Sequence, residues 1–80
     1  MIAIDVRTFD KSKGPEELVV TLDQEGLKSL IAQLQFLASG KTEHLDLMSD
    51  AWGGTHLHGV SQAPGDYPIQ YLKVYLRDLA

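Results

Sequence analysis

The sequence predicts an α+β domain: a small, single-layer, antiparallel-rich sheet of four strands, with room for a fifth, and one helix packed on one face, in the order β-β-α-β-β. Three observations predict it. Four stretches alternate apolar and polar residues with the period 2 of a half-buried strand. One stretch between them carries apolar residues at i, i+3, i+4 and i+7, the spacing of an amphipathic helix. Eighty residues leave room for one domain and one core.

The first strand is expected from Ile2 to Phe9, with Ile2, Ile4 and Val6 on one side and Ala3, Asp5 and Arg7 on the other. Asp10 to Glu16 is charged, and its Gly14-Pro15 pair turns the chain. Glu17 to Leu22 alternates again, with Leu18, Val20 and Leu22 on one face. The two runs form a hairpin with a long, solvated tip.

The period then changes. Asp23 is placed as an N-cap, and Glu25 in the first turn suits the positive end of the helix dipole. Leu27, Leu30, Ile31, Leu34, Leu37 and Ala38 make one apolar stripe, and Gly40 suits the left-handed position that closes a helix. Phe36 lies roughly 165° from the centre of that stripe. It is either a lone exposed aromatic or a point of self-association with a second copy, or of contact with the glycine-rich loop.

Thr42 to Met48 is the third strand, with Leu45 and Leu47 inward and His44, Asp46 and Met48 opposite. Ser49 to Tyr67 has no sustained period and contains Gly53, Gly54, Gly59, Pro64 and Gly65. Loops of that length are uncommon and tend to carry function; a strand at Thr55 to Val60 would shorten it. Ile69 to Arg77 is the last strand, with Leu72, Val74 and Leu76 inward and Tyr71, Lys73 and Tyr75 outward. The uncovered sheet face is expected to carry Asp5, Arg7, Val19, Thr21, His44, Asp46, Met48, Tyr71, Lys73 and Tyr75. Such a face is either a solvated surface or a partner contact, since Tyr and Arg are enriched at interfaces.

Composition bounds the chemistry. There is no cysteine, so neither disulfides nor a thiolate zinc site supports a fold whose stability is about 4–12 kcal/mol at this length. Eleven acidic residues against seven basic ones give a net charge of −4. That argues against a nucleic acid partner, which needs clustered Lys and Arg. No apolar run approaches the roughly 20 residues of a membrane span, and the N-terminus lacks a secretory pattern, so a cytoplasmic location is expected.

The histidines invite a metal reading, with His56 and His58 on one side of a strand and His44 or Asp46 as a third ligand. No HExxH or spaced Cys/His pattern supports it, and neither a nucleophile elbow nor a phosphate loop is present. No metal, cofactor or catalytic residue is therefore assigned. In Asp50 to Gly54 a large indole precedes two residues able to take positive φ. Trp52 either covers a core edge as the chain reverses or serves as a partner hot spot.

These residues carry a family resemblance. The run GLKSLIAQLQFLASGKTEHLDLMSDAWGGTHL, followed after a Gly/Pro loop by IQYLKVYL, resembles the immunity protein 32 family of bacterial polymorphic-toxin systems. The matching positions are Thr42, His44, Leu45 and Leu47 on the strand, Ser49, Trp52, Gly53, Gly54 and Leu57 in the turn, and Leu72, Lys73 and Tyr75 on the closing strand. The resemblance extends from Gly26 to Asp78 and leaves out the N-terminal hairpin. It implies a non-catalytic protein that binds and blocks a cognate toxin, which the −4 charge would favour as a basic partner. His44, Asp46, Trp52, His56, His58, Tyr71 and Tyr75 are the candidate partner-binding residues. The alternative is a structural domain that pairs as a homodimer through Phe36 and the tyrosine face; a metal-dependent enzyme is a third reading.

Overall fold

The computed structural model describes residues 1–8, 12–14 and 17–77. The elements are β1 (Ile2–Arg7), β2 (Glu17–Leu22), α1 (Gln24–Ala38), β3 (His44–Met48), a 3-10 turn (Asp50–Trp52), β4 (Tyr67–Pro68) and β5 (Tyr71–Tyr75). The fold is α+β, with one helix and five antiparallel strands among the described residues, and the β-β-α-β-β order holds once β4 and β5 are taken as the bent last strand. The end of the first expected strand at Phe9 and most of the hairpin tip, including Pro15, lie outside the described residues.

β1 and β2 form the hairpin, in a register that sets Ile2 opposite Leu22, Ile4 opposite Val20 and Val6 opposite Leu18. Directly opposed residues share a face, so these six side chains lie on the same side of the sheet. Ile2 and Ile4 are buried there with Leu47 and Leu57, and Leu22, Leu30, Ile69 and Leu72 pack against them. The sheet itself is divided, unlike the single layer expected. β2, β1 and β4 form three strands, and β3 with β5 forms a separate pair.

The division arises at Ile69-Gln70. The Ile69 amide donates to the Ile4 carbonyl at 2.7 Å, whereas the Gln70 carbonyl accepts from the Ser49 amide at 2.9 Å. Consecutive residues thus serve opposite neighbours, as alternating strand residues do, and the chain passes from one sheet to the other. The segment after the 3-10 turn fills the gap that opens. His56 and Leu57 donate to the Met48 carbonyl, and His58 donates to the Ile2 carbonyl at 2.7 Å. Thr55 to Val60 is therefore not the expected strand. It is a wedge of bends that satisfies backbone groups from both sheets and sends Leu57 into the core.

α1 begins as expected. The Asp23 carboxylate accepts from the Gly26 amide at 2.7 Å and also from the N-terminal amine of Met1. The helix closes at Ser39, with Gly40 at φ +80°. Its rotation differs from the sequence pattern. Gly26 and Leu37 are buried and Leu30 packs on the core, but Leu27, Ile31 and Leu34 stay 40–47% exposed. Gly26 supplies the reason, because a Cβ there would stand 1.8 Å from the Met1 carbonyl oxygen. The helix rests directly on the N-terminus at its glycine, so the line through Gly26, Leu30 and Leu37 faces inward. The centre of the leucine stripe is turned about 70° out.

Two other expectations change. Leu18 and Val20 lie on the core side of β2 yet are 59% and 48% exposed, because the helix leaves that end of the strand uncovered. Conversely, the expected open face is closed at β1, where Ala3 and Asp5 are buried. Residues 59–66 strap across it. Gln62 donates its amide to Asp5 Oδ2 at 3.2 Å, and Arg7 grips Asp66 with two bonds of 3.1 and 3.0 Å. No helix among the described residues is long and apolar enough to cross a membrane.

Candidate functional site: the outer face of β3 and β5

The half of the outer face that stays open is β3 with β5. Their register sets His44 opposite Tyr75, Asp46 opposite Lys73 and Met48 opposite Tyr71. Period-2 alternation sends Leu45, Leu47, Leu72 and Val74 inward and leaves those six side chains outward. Asp46 is their hub. The Tyr71 hydroxyl donates to its Oδ1 at 2.7 Å, His44 Nε2 lies 3.1 Å from Oδ2, and Lys73 Nζ lies 3.8 Å from Oδ1. The hydrogen bond from Tyr71 is the main cause that holds the Asp46 carboxyl below the usual aspartate range, with His44 and Lys73 adding to it. The same bond pushes the Tyr71 phenol up. The Lys73 ammonium is held above the usual lysine range by Tyr71 first, then Tyr75 and Asp46.

Aromatic contacts extend the network to both ends. Trp52 meets Tyr71 edge-on, with centroids 5.6 Å apart at 87°. At the other end the His44 and Tyr75 rings are 5.5 Å apart, and the Arg77 guanidinium lies 4.5 Å from the Tyr75 centroid. Trp52 does not cover a core edge. It is 61% exposed, because the 3-10 turn carries its ring out beside the sheet. The turn itself depends on the glycines. Gly53 takes φ +79° to end it, and a Cβ on Gly54 would stand 2.5 Å from Met48 Cβ. Ser49 is a structural residue here, fully buried, with its hydroxyl bound to the Gln70 side chain while Gln70 Nε2 reaches the Gly59 carbonyl at 3.0 Å.

Five of the seven candidate partner-binding residues thus meet on one face: His44, Asp46, Trp52, Tyr71 and Tyr75. The other two histidines do not. His56 lines an open depression of about 310 Å³ with Met1, Ile2, Glu25, Gly26 and Ser29. His58 borders another, of about 350 Å³, with Asp50, Leu57 and Val60. Two-residue spacing puts side chains together only on a strand, and this segment is not one. Among the described residues no three His, Asp or Glu side chains gather as a metal-ligand set. Phe36 is 48% exposed, on the helix flank opposite Leu27, Ile31 and Leu34. Lys73 and Arg77 belong to the open face but were not among the candidates. Lys73 was legible from its register position on β5, whereas Arg77 lies past the strand end and joins only through its stacking on Tyr75.

Fold and face together define a small α+β domain that presents an aromatic, hydrogen-bonded surface rather than a deep pocket. No family model, curated relative or solved structure matches this chain.

Proposed function

We infer that this chain is a binding protein that occludes a protein partner through the outer face of β3 and β5, without turnover. The observation that carries the reading is the contact chain Trp52–Tyr71–Asp46–Lys73 with His44, Tyr75 and Arg77. It is an exposed surface whose aromatic and charged groups are already held in place by one another. Tyr, Trp and Arg are the side chains that most often dominate binding energy, and a preorganised set loses little rotamer freedom on association. The resemblance of Ser49 to Leu57 and of the closing strand to polymorphic-toxin immunity proteins makes the partner a bacterial toxin. Arg77, beside Tyr75, makes one end of the face cationic, while Lys73 sits at its middle opposite Asp46. The −4 charge that would steer a basic toxin therefore acts from the rest of the surface.

Co-expression with the product of the adjacent open reading frame tests the reading. Cells carrying the chain are expected to survive induction of the toxin, and cells carrying Trp52→Ala with Tyr75→Ala are expected to die although the variant folds. Survival that persists after deletion of the chain would defeat the immunity reading. Protection retained by the double variant would remove this face from it.

A further inference from the structure

We propose that this protein pairs with a second copy of itself along the outer edge of β2, with the exposed flank of α1 closing over the joint. The strand order ends at β2, and nothing among the described residues pairs with its outer edge. Sheet edges are ordinarily guarded by lysine, proline or a bulge. Residues 18–22 here are LVVTL, uncharged and β-branched at Val19, Val20 and Thr21, with six residues of unbroken register on the β1 side. An unguarded edge of this kind is a template for another strand.

Apolar side chains sit beside that edge on the helix side. Leu18 and Val20 project from β2 toward the side on which α1 lies. The helix flank that bears Leu27, Ile31 and Leu34 faces β2, because the opposite flank, at Glu25 and Ser29, borders Thr55 and His56. These five residues are 40–59% exposed. At about 200 Å² for an open residue of this size they present on the order of 450 Å². A standard interface covers about 800 Å² per partner, some 65% of it apolar in homodimers, or about 500 Å². The patch approaches the size a stable pair of copies needs. Its five side chains are uncharged, with Glu17 and Asp23 standing only at the two ends of the strand, and an antiparallel β2 pair is self-complementary under a two-fold axis.

The register follows from the alternation. A two-fold perpendicular to the sheet keeps both helices on one side, and same-face residues oppose each other only when the axis passes beside a residue. Centred on Val20, the pairing sets Leu18 opposite Leu22 of the copy and Val20 opposite itself. This continues the apolar row of Ile2, Ile4 and Leu22 across the joint. The same register brings Glu17 opposite Asp23 only at the solvated ends, where the repulsion is screened. The pairing is distinct from one through Phe36 or the tyrosine face, and it leaves the outer face of β3 and β5 free on both copies.

Sedimentation of the chain alone tests this independently of any toxin. At about 100 µM the wild type is expected at twice its 8.8 kDa mass, and Ile31→Glu is expected to weaken pairing at least ~10-fold with an unchanged circular dichroism spectrum. Since the chain has no cysteine, Val20→Cys offers a geometric readout. Opposed Cα atoms across an antiparallel pair are about 4.5–5.5 Å apart, inside the disulfide range. Val20→Cys should therefore oxidise to a covalent dimer far faster than Trp52→Cys. A monomeric wild type at that concentration overturns the proposal and leaves the edge to a strand of another protein. Equal cross-linking rates for the two cysteine variants overturn it as well.

Discussion

Asp46 shows how one carboxylate organises a surface. It accepts from Tyr71, pairs with His44 and lies within reach of Lys73, so three outward side chains hold fixed positions around it. Because its folded-state pKa is depressed, its contribution to stability is present above the unfolded value and is lost as pH falls through the folded one. Tyr71→Phe removes the largest cause of that depression. Carbon-detected NMR titration should then show the Asp46 midpoint moving up toward the ordinary aspartate range; an unmoved midpoint would mean that the phenol is not its main partner. Trp52 is the complementary case. With 61% of its surface open it contributes little to folding, so Trp52→Ala should leave the denaturation midpoint nearly unchanged. The same change should weaken partner binding by about 2 kcal/mol or more, measured by calorimetry. The outward positions on β3 and β5 were legible from alternation alone. The departure of His56 and His58 was not, since their backbone amides are held by carbonyls of Met48, across the intervening turn, and of Ile2, at the far end of the chain.

At the level of elements, the helix was the plainest feature of the sequence and the one whose orientation changed most. Periodicity finds the amphipathic direction of a helix, but a close backbone approach decides which line of residues points down. Gly26 makes that approach against Met1. Gly26→Ala would set a Cβ against a backbone carbonyl that has no rotamer to escape into. It should cost about 1–3 kcal/mol or more, read as a lowered urea midpoint; a change of a few tenths would mean that the helix shifts freely. The last strand divides in two for a related reason. Gln70 turns to Ser49 and Gly59 while Ile69 remains with Ile4, and no local property of the sequence Pro68 to Tyr71 distinguishes those two partners.

The whole molecule has a small core for its length. Ile2, Ile4, Leu47 and Leu57 form its centre, drawn from β1, β3 and the wedge, with Leu22, Leu30, Ile69 and Leu72 packed against it from β2, α1 and the last strand. Leu47 is fully buried, and Leu47→Ala should cost about 2–5 kcal/mol. Against a total of about 4–12 kcal/mol, that is a large share of the stability, checked by the fall of the midpoint in a denaturant series. Leu27, Ile31 and Leu34 of α1 and Leu18 and Val20 of β2 remain largely outside this core. A domain of this size therefore leaves a substantial apolar surface exposed.

The order of elements, the cap at Asp23, the turn at Gly53 and Gly54 and the outward face of β3 and β5 follow from local periodicity and from single residues whose conformational demands are local. Those features belong to the sequence alone. The division of the sheet, the strap that closes over Ala3 and Asp5, the rotation of α1 and the separation of the three histidines were decided by tertiary structure. In each case the deciding interaction joins backbone groups or ion pairs far apart in the chain: Ile2 with His58, Asp5 with Gln62, Arg7 with Asp66, Met1 with Gly26. Pattern within a segment carries no information about which distant carbonyl or carboxylate that segment will meet.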